Sequence, residues 1–177
     1  MSNKRKQLIK IVLTAVLIAM NVVLERVFAF QIESNHISLS IITLGFAAVY
    51  LGVPYTVTVA VFGDIIGGII APTGPYFLGF TISNAIMGVV IGIFLSKKAN
   101  LANITVAVVI NKVLCTLILN SIFVSVLYKG GFDAYPAYMV TRIPQAVVMT
   151  IVEIVLLTLL FWEKSSIRKL LDKNIKI

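Results

Sequence analysis

Residues 61–81 read VFGDIIGGIIAPTGPYFLGFT, two apolar runs separated by a short break rich in proline and glycine. Pro72 and Pro75 cannot continue a helix, because proline has no backbone N–H and a fixed φ. The flanking runs are long and apolar enough to be membrane-spanning helices. The stretch therefore predicts a stiff loop between two spans, with Tyr76 and Phe77 presented at its end.

The composition of the whole chain is that of an integral membrane protein. Its 177 residues are 59% hydrophobic and 12% charged, and the mean hydropathy is +1.03. These values lie well outside the usage of soluble domains. One cysteine, Cys115, and one histidine, His36, are too few for a disulfide framework or a Cys/His metal site. We therefore expect no metal and no cofactor.

The apolar runs predict an all-α fold of six transmembrane helices in a single domain, 1–177. The length of the chain fits this number, since each span needs roughly 20 apolar residues. The second and third spans are joined by Gly52-Val53-Pro54, which allows only a tight connection. The predicted spans are 8–30, 36–52, 54–71, 78–96, 101–128 and 137–162.

The basic residues predict the orientation of the chain. Its 15 Lys and Arg residues include three basic clusters: one before the first span, one after the last span, and the pair Lys97–Lys98. Basic segments stay on the cytoplasmic side, so both termini are predicted to be cytoplasmic and the outer loops to be 31–36, 72–77 and 129–136. The net charge of +8 is thereby assigned to topology and contact with lipid headgroups, and not to nucleic acid.

Polar side chains inside the spans predict a small-molecule site. Ionisable groups are costly in a membrane and usually line a cavity or form pairs. Several polar groups fall at one depth, just below the predicted outer loops, and a pocket with a few placed polar groups is typical of small-molecule binding. These groups are Arg26, Asp64, Asn84, Asn120 and Arg142.

Other polar residues have simpler interpretations. Glu25 and Glu153 can pair with neighbouring cations, and Lys112 can extend to the cytoplasmic interface. Asn111 and Asn120 can form interhelical hydrogen bonds. His36 is expected to cap the second helix or to lie in the loop before it.

Small residues at four-residue spacing predict close helix packing. In the third span they are Gly63, Gly67 and Ala71, and in the fourth Gly88 and Gly92. We expect these two faces to pack inside the protein. Ala15 and Ala19 in the first span can either pack internally or face another protein.

No motif of an enzyme is present. The chain lacks HExxH, GxSxG, GxxxxGK[ST] and a pair of intramembrane aspartates. No soluble domain is predicted that could hydrolyse ATP. We therefore predict that the protein is not an enzyme.

The chain resembles the substrate-binding (S) components of energy-coupling factor (ECF) vitamin transporters, and most closely those for folate. The specific part is FGD…G…PTGPYF…GFT, whose residue types and spacing match over about 20 positions of that family's pattern. NVVLERVF, ISLSIITLGFAAVYLG and SKKAN extend the likeness over nearly the whole chain. Leu78 departs from the pattern, since a second proline is expected there.

The resemblance implies a six-helix protein of the bacterial plasma membrane that binds a vitamin from outside. It also implies partners, namely one transmembrane coupling protein and two cytoplasmic ATPases. In the family the A-x-x-x-A face of the first helix contacts the coupling protein, which corresponds here to Ala15 and Ala19. The loops after the first and third helices gate the pocket, here 31–36 and 72–77, so Pro72, Gly74 and Pro75 become substrate-site candidates with Tyr76 and Phe77.

Folate chemistry suggests a role for each polar candidate. The 2-amino and N3–H edge of a pterin carries two donors, which the Asp64 carboxylate could accept with assistance from Asn84. Arg26 could bond the pterin carbonyl or ring nitrogens, and Tyr76 and Phe77 could stack on the ring. Arg142 could bind the glutamyl carboxylates, because arginine binds carboxylates bidentately.

Two alternatives remain open from the sequence. One is an S component for another flat vitamin or precursor, such as hydroxymethylpyrimidine, pyridoxine or thiamin. The other is a self-contained channel or secondary transporter with Asp64 or Glu153 as a proton or cation site. That alternative requires a polar path to the cytoplasm, whereas the third and fourth spans offer glycines there.

Overall fold

A computed structural model describes residues 3–27, 30–32, 35–37, 39–72, 76–127, 131 and 135–162. Gly74 and Pro75 of the predicted site lie outside these residues. Five of the helical stretches are long and apolar enough to cross a membrane, and Ile41–Tyr50 is a shorter apolar helix. The elements in chain order are α1 (Asn3–Arg26), β1 (Phe30–Ile32), β2 (Asn35–Ile37), α2 (Ile41–Tyr50), α3 (Val53–Ile70), α4 (Leu78–Lys97), α5 (Leu101–Asn111), a π-helical segment (Lys112–Leu119), α6 (Asn120–Leu127) and α7 (Tyr135–Trp162).

The second predicted span is shorter than expected. Instead of a helix over 36–52, the described chain forms an antiparallel hairpin in which Gln31 pairs with His36, followed by α2. His36 therefore lies in β2 rather than capping a helix, and the all-α prediction holds for the bundle but not for this loop. Strand β2 contacts α7, so the hairpin lies beside the bundle where the outer part of a longer helix was predicted.

Helices α1 and α3 run parallel, since residues further along α1 contact residues further along α3. Lys10 Nζ lies 5.8 Å above the Tyr55 ring. Further along α1, Asn21 lies against Gly63, where a Cβ would collide with the Asn21 amide. The end of the bundle at which α1, α3 and α6 end and α4 and α7 begin is called the loop end below.

Helix α4 runs antiparallel to α3 through the predicted glycine face. A Cβ at Gly88 would lie 3.0 Å from Val57 Cα, and one at Gly92 would lie 3.0 Å from Val53 Cα. Backbones that approach this closely replace side-chain interdigitation with direct van der Waals contact, as is usual in membranes. The prediction that these glycines pack inside the protein is confirmed.

The connections between helices follow from local chemistry. Gly52 has φ +95° before Pro54, a left-handed conformation that favours glycine, and this permits the tight α2–α3 turn. Asn100 caps α5, because its side chain accepts a hydrogen bond from the Asn103 backbone N–H at 3.0 Å.

Candidate functional site

Arg26 and Asp64 face each other near the loop end. Arg26 is the last residue of α1 and Asp64 lies six residues before the end of α3. Arg26 Nη2 lies 3.7 Å from Asp64 Oδ1, and their side chains are only 11% and 7% exposed. Two of the three ionisable residues that the sequence predicted for the site are thus brought together, and each compensates the other.

Thr81 joins this ion pair to Tyr76, which directly precedes α4. Thr81 Oγ1 donates to Asp64 Oδ2 at 2.6 Å, and Thr81 Oγ1 and Tyr76 Oη are also 2.6 Å apart. Asp64 and Thr81 are both buried, so these hydrogen bonds lie in a low-dielectric environment that strengthens them. The result is a continuous polar chain from α1 through α3 and α4 to Tyr76.

Two consecutive glycines at the end of α3 make room for this chain. A Cβ at Gly67 would lie 2.8 Å from Arg26 Nε, and one at Gly68 would lie 2.8 Å from Tyr76 Cδ2. Any other residue would displace a side chain of the site, Arg26 if it replaced Gly67 and Tyr76 if it replaced Gly68. The glycines therefore contribute to the site geometry as well as to helix packing.

An aromatic cluster adjoins the polar chain at the loop end. Phe77 lies 5.4 Å from Phe123 of α6 and 6.0 Å from Phe80 of α4, between ring centroids. Phe80 and Phe123 are also 6.0 Å apart. All three pairs meet edge to face, the favourable arrangement for aromatic quadrupoles. Of the two aromatic residues after the prolines, Tyr76 therefore belongs to the polar chain and Phe77 to the aromatic cluster.

The remaining predicted residues lie at a similar depth. Asp64, Asn84, Asn120 and Arg142 are each six or seven residues from the loop end of their helices, or about 10 Å at the rise of a helix. Arg142 is buried and Asn84 is half-buried. The Asn120 Oδ1 atom is buried without a hydrogen-bond partner among the described residues. Pro72 is exposed.

Thr81, Phe80 and Phe123 were not selected from the sequence. Threonines in membrane helices commonly bond to their own backbone, and Thr14, Thr56, Thr58 and Thr150 each donate to the carbonyl four residues earlier. Nothing in the residue type distinguishes Thr81 from these. The only available signal was its position at the end of the GFT motif.

The prediction for Lys112 was wrong. Lys112 does not extend to the interface but lies 2.6 Å from Glu153 Oε1, with the two side chains 17% and 7% exposed. The pair joins the start of the π-helical segment to α7, and confirms that Glu153 pairs with a cation. Asparagines other than the predicted Asn111 and Asn120 form interhelical hydrogen bonds. Asn21 donates to Thr43 Oγ1 at 2.8 Å and joins α1 to α2, and Asn103 donates to the Phe94 carbonyl at 3.3 Å and joins α5 to α4.

Ala15 and Ala19 lie on the outward face of α1. Both are exposed, whereas Thr14, Leu17 and Asn21 form the buried face of the same helix. The internal-packing interpretation of the A-x-x-x-A face is therefore wrong. This face adjoins a shallow apolar groove lined by Ala19, Met20, Val23 and Leu24.

No group of three or more His, Cys, Asp or Glu residues in the described ranges could hold a metal ion. The polar chain instead combines a carboxylate, a guanidinium and two hydroxyls beside aromatic rings. Such a set can hydrogen-bond both donors and acceptors of a flat organic molecule.

Comparison with known proteins gives a consistent result. Residues 9–161 match the family described as "ECF transporter, substrate-specific component". The folate transporter FolT of Clostridium novyi is 29% identical over 136 residues, covering 76% of this chain and 77% of that protein. The folate transporter FolT of Leuconostoc mesenteroides is 26% identical over 140 residues, covering 77% and 74% of the two chains.

A solved structure has the same fold. A crystal structure of FolT bound with folic acid superposes with a TM-score of 0.78 at 26% sequence identity. The match covers 85% of this chain and 90% of that chain.

Proposed function

Since the chain belongs to the substrate-specific components of ECF transporters, a family of multi-pass membrane transporters, we propose that it captures folate for import. The observation that carries the proposal is the Arg26–Asp64–Thr81–Tyr76 chain at the loop end, in which Asp64 and Thr81 are buried and Tyr76 is exposed. The relatives named as folate transporters and the similarity to a folic-acid complex support folate as the substrate.

The paired charges suit the edge of a pterin. Along that edge the N3–H and 2-amino donors adjoin the carbonyl acceptor. A carboxylate beside a guanidinium offers the complementary acceptor and donors within 3.7 Å of each other. Without substrate the two charges of Arg26 and Asp64 compensate one another, and the substrate then exchanges this weak contact for directed, charge-assisted hydrogen bonds.

The rest of the molecule is held by apolar and cationic groups. The face of a flat heteroaromatic ring stacks on aromatic side chains such as Tyr76 or the Phe77–Phe80–Phe123 cluster. Asn84 and Asn120 supply amide groups at the depth of Asp64, and Arg142 binds the glutamyl carboxylates, for which its planar guanidinium is suited. Pro72 and Pro75 stiffen the segment that carries Tyr76, which lowers the cost of ordering it on binding, and Gly74 is a residue type that permits a turn between them.

Transport requires partners that supply ATP hydrolysis. In the proposed arrangement both termini are cytoplasmic, and the outward α1 face with Ala15 and Ala19 contacts the transmembrane coupling protein, which two ATPases drive. The exposure of both alanines beside an apolar groove supports this assignment, because small residues allow another helix to approach closely in lipid.

Equilibrium binding to the detergent-purified chain tests the substrate. Calorimetric titration with folate, thiamin, pyridoxine and hydroxymethylpyrimidine compares the proposal with its main alternative. We expect one-to-one binding of folate, tighter than that of the other three by at least tenfold. Tight binding of another vitamin without folate binding would contradict the proposed substrate and retain the transporter family.

A further inference from the structure

We propose that Thr81 is a positioning residue of the substrate site, which with Tyr76 fixes the orientation of the Asp64 carboxylate. The proposal rests on the proposed function for the identity of the substrate. The supporting geometry is independent of the substrate, because it consists of three side chains of this protein and the two 2.6 Å hydrogen bonds between them.

The direction of both hydrogen bonds follows from the number of available protons. The Thr81 hydroxyl has a single hydrogen, and an ionised carboxylate can only accept. Thr81 therefore donates to Asp64 Oδ2 and must accept from Tyr76 Oη. Each bond polarises the next in the same direction, which strengthens both.

This arrangement makes the two oxygens of Asp64 unequal. Oδ2 is held by Thr81, while Oδ1 faces Arg26 Nη2 at 3.7 Å, longer than a direct hydrogen bond. A substrate donor can therefore approach Oδ1 without displacing Thr81. The structure thus favours one strong bond from the substrate to Oδ1 over a symmetrical clamp by both oxygens.

The surroundings hold Tyr76 in reach of Thr81. Gly68 lies beneath the Tyr76 ring, where a Cβ would come 2.8 Å from Cδ2. Thr81 also differs from four other described threonines, since it donates to a side chain on another helix while they donate to their own backbone. An intrahelical structural role does not account for this bond.

Folate affinity of hydroxyl variants tests the proposal. Thr81→Val removes the hydroxyl at constant volume and should raise the Kd about tenfold to hundredfold, the range for hydrogen bonds to charged groups. Thr81→Ser keeps the hydroxyl and should remain within about threefold. Thr150→Val is the matched control, because it removes a hydroxyl that donates to the Ala146 carbonyl of its own helix, and should leave the Kd unchanged.

A double-mutant cycle distinguishes a relay from two separate contacts. Tyr76→Phe alone should raise the Kd several-fold, roughly three to ten, but should add less than about twofold to Thr81→Val. Additive effects of the two substitutions, or wild-type affinity in Thr81→Val, would overturn the proposal.

Thermal unfolding without ligand separates this proposal from the choice of substrate. The Tm shift of the double variant should be smaller than the sum of the shifts caused by Thr81→Val and Tyr76→Phe, because both substitutions remove the same hydrogen bond. If the wild type fails to bind folate but the Tm shifts are less than additive, the proposed substrate is wrong and the relay stands. If the shifts add in full, the relay is wrong whichever vitamin binds.

Discussion

The side chain of Arg26 lies across Gly67, so closely that a Cβ at Gly67 would come 2.8 Å from Arg26 Nε. The last turn of α3 thereby sets where the Arg26 guanidinium lies relative to Asp64. A glycine of the packing face is for this reason also a determinant of the substrate site.

Gly67→Ala is therefore expected to weaken folate binding. The added methyl group displaces the guanidinium from Asp64 and should raise the Kd by about tenfold, the effect of losing one charged hydrogen bond. Gly88→Ala is the control, since its Cβ would meet Val57 and Ala60 away from Arg26. It should lower the Tm through overpacking and leave the Kd of the folded protein unchanged. Equal affinities for Gly67→Ala and the wild type would contradict the assigned role of Arg26.

The Lys112–Glu153 pair is expected to stabilise the bundle without contributing to substrate binding. Lys112→Met leaves the Glu153 carboxylate buried and uncompensated, which should lower the free energy of unfolding by about 3–5 kcal/mol. Replacing both residues, as Lys112→Met with Glu153→Leu, should recover most of the loss, because no buried charge remains. Thermal unfolding in detergent measures both effects. A double variant as unstable as the single one would show that the pair has a further role.

The aromatic cluster is expected to slow the release of folate. Phe123→Leu removes two edge-to-face contacts, each worth about 0.5–1.5 kcal/mol, and frees Phe77 from α6. The dissociation rate of bound folate, measured by displacement of radiolabelled ligand, should rise by at least about fivefold. Phe46→Leu is a suitable control, because it disrupts the Phe46–Tyr50 pair on α2 and should change stability alone. Unchanged release from Phe123→Leu would exclude the cluster from the site.

The outward face of α1 is expected to matter only for assembly. Ala15→Trp places a large ring where a partner helix must approach closely, so co-purification with the coupling protein should be lost while folate affinity is retained. Leu159→Trp tests for general effects of bulk, since Leu159 is 66% exposed on α7. Normal assembly of Ala15→Trp would indicate that the partner binds elsewhere.

Hydropathy was sufficient to predict most of the bundle. Five spans and the tight turn at Gly52 follow from apolar runs and breaking residues, which depend on local sequence. The β1–β2 hairpin could not be predicted, because its strands have three residues each, too few for an alternating pattern to indicate a strand. The π-helical segment Lys112–Leu119 has no sequence signal that differs from that of an α-helix.

The sequence predicts how deep in the membrane the site residues lie, but not which of their side chains contact one another. Position along a span gives the distance of Arg26 and Asp64 from the membrane surface. It does not give the rotation of the helices about their axes; for α3 this is set by Gly63 and Gly67, which pack against α1. Thr81 was missed for the same reason, because a hydroxyl gains a role only when tertiary packing places it beside a carboxylate.

The affinity of Asp64→Asn for folate, compared with that of the wild type by calorimetry, tests the central claim most directly. The amide keeps the size of the side chain and removes the charge that accepts from the substrate and attracts Arg26. We expect the Kd to rise at least about tenfold, as for loss of a charge-assisted hydrogen bond. A Kd within about twofold of the wild-type value would show that folate does not bind through the Asp64 carboxylate.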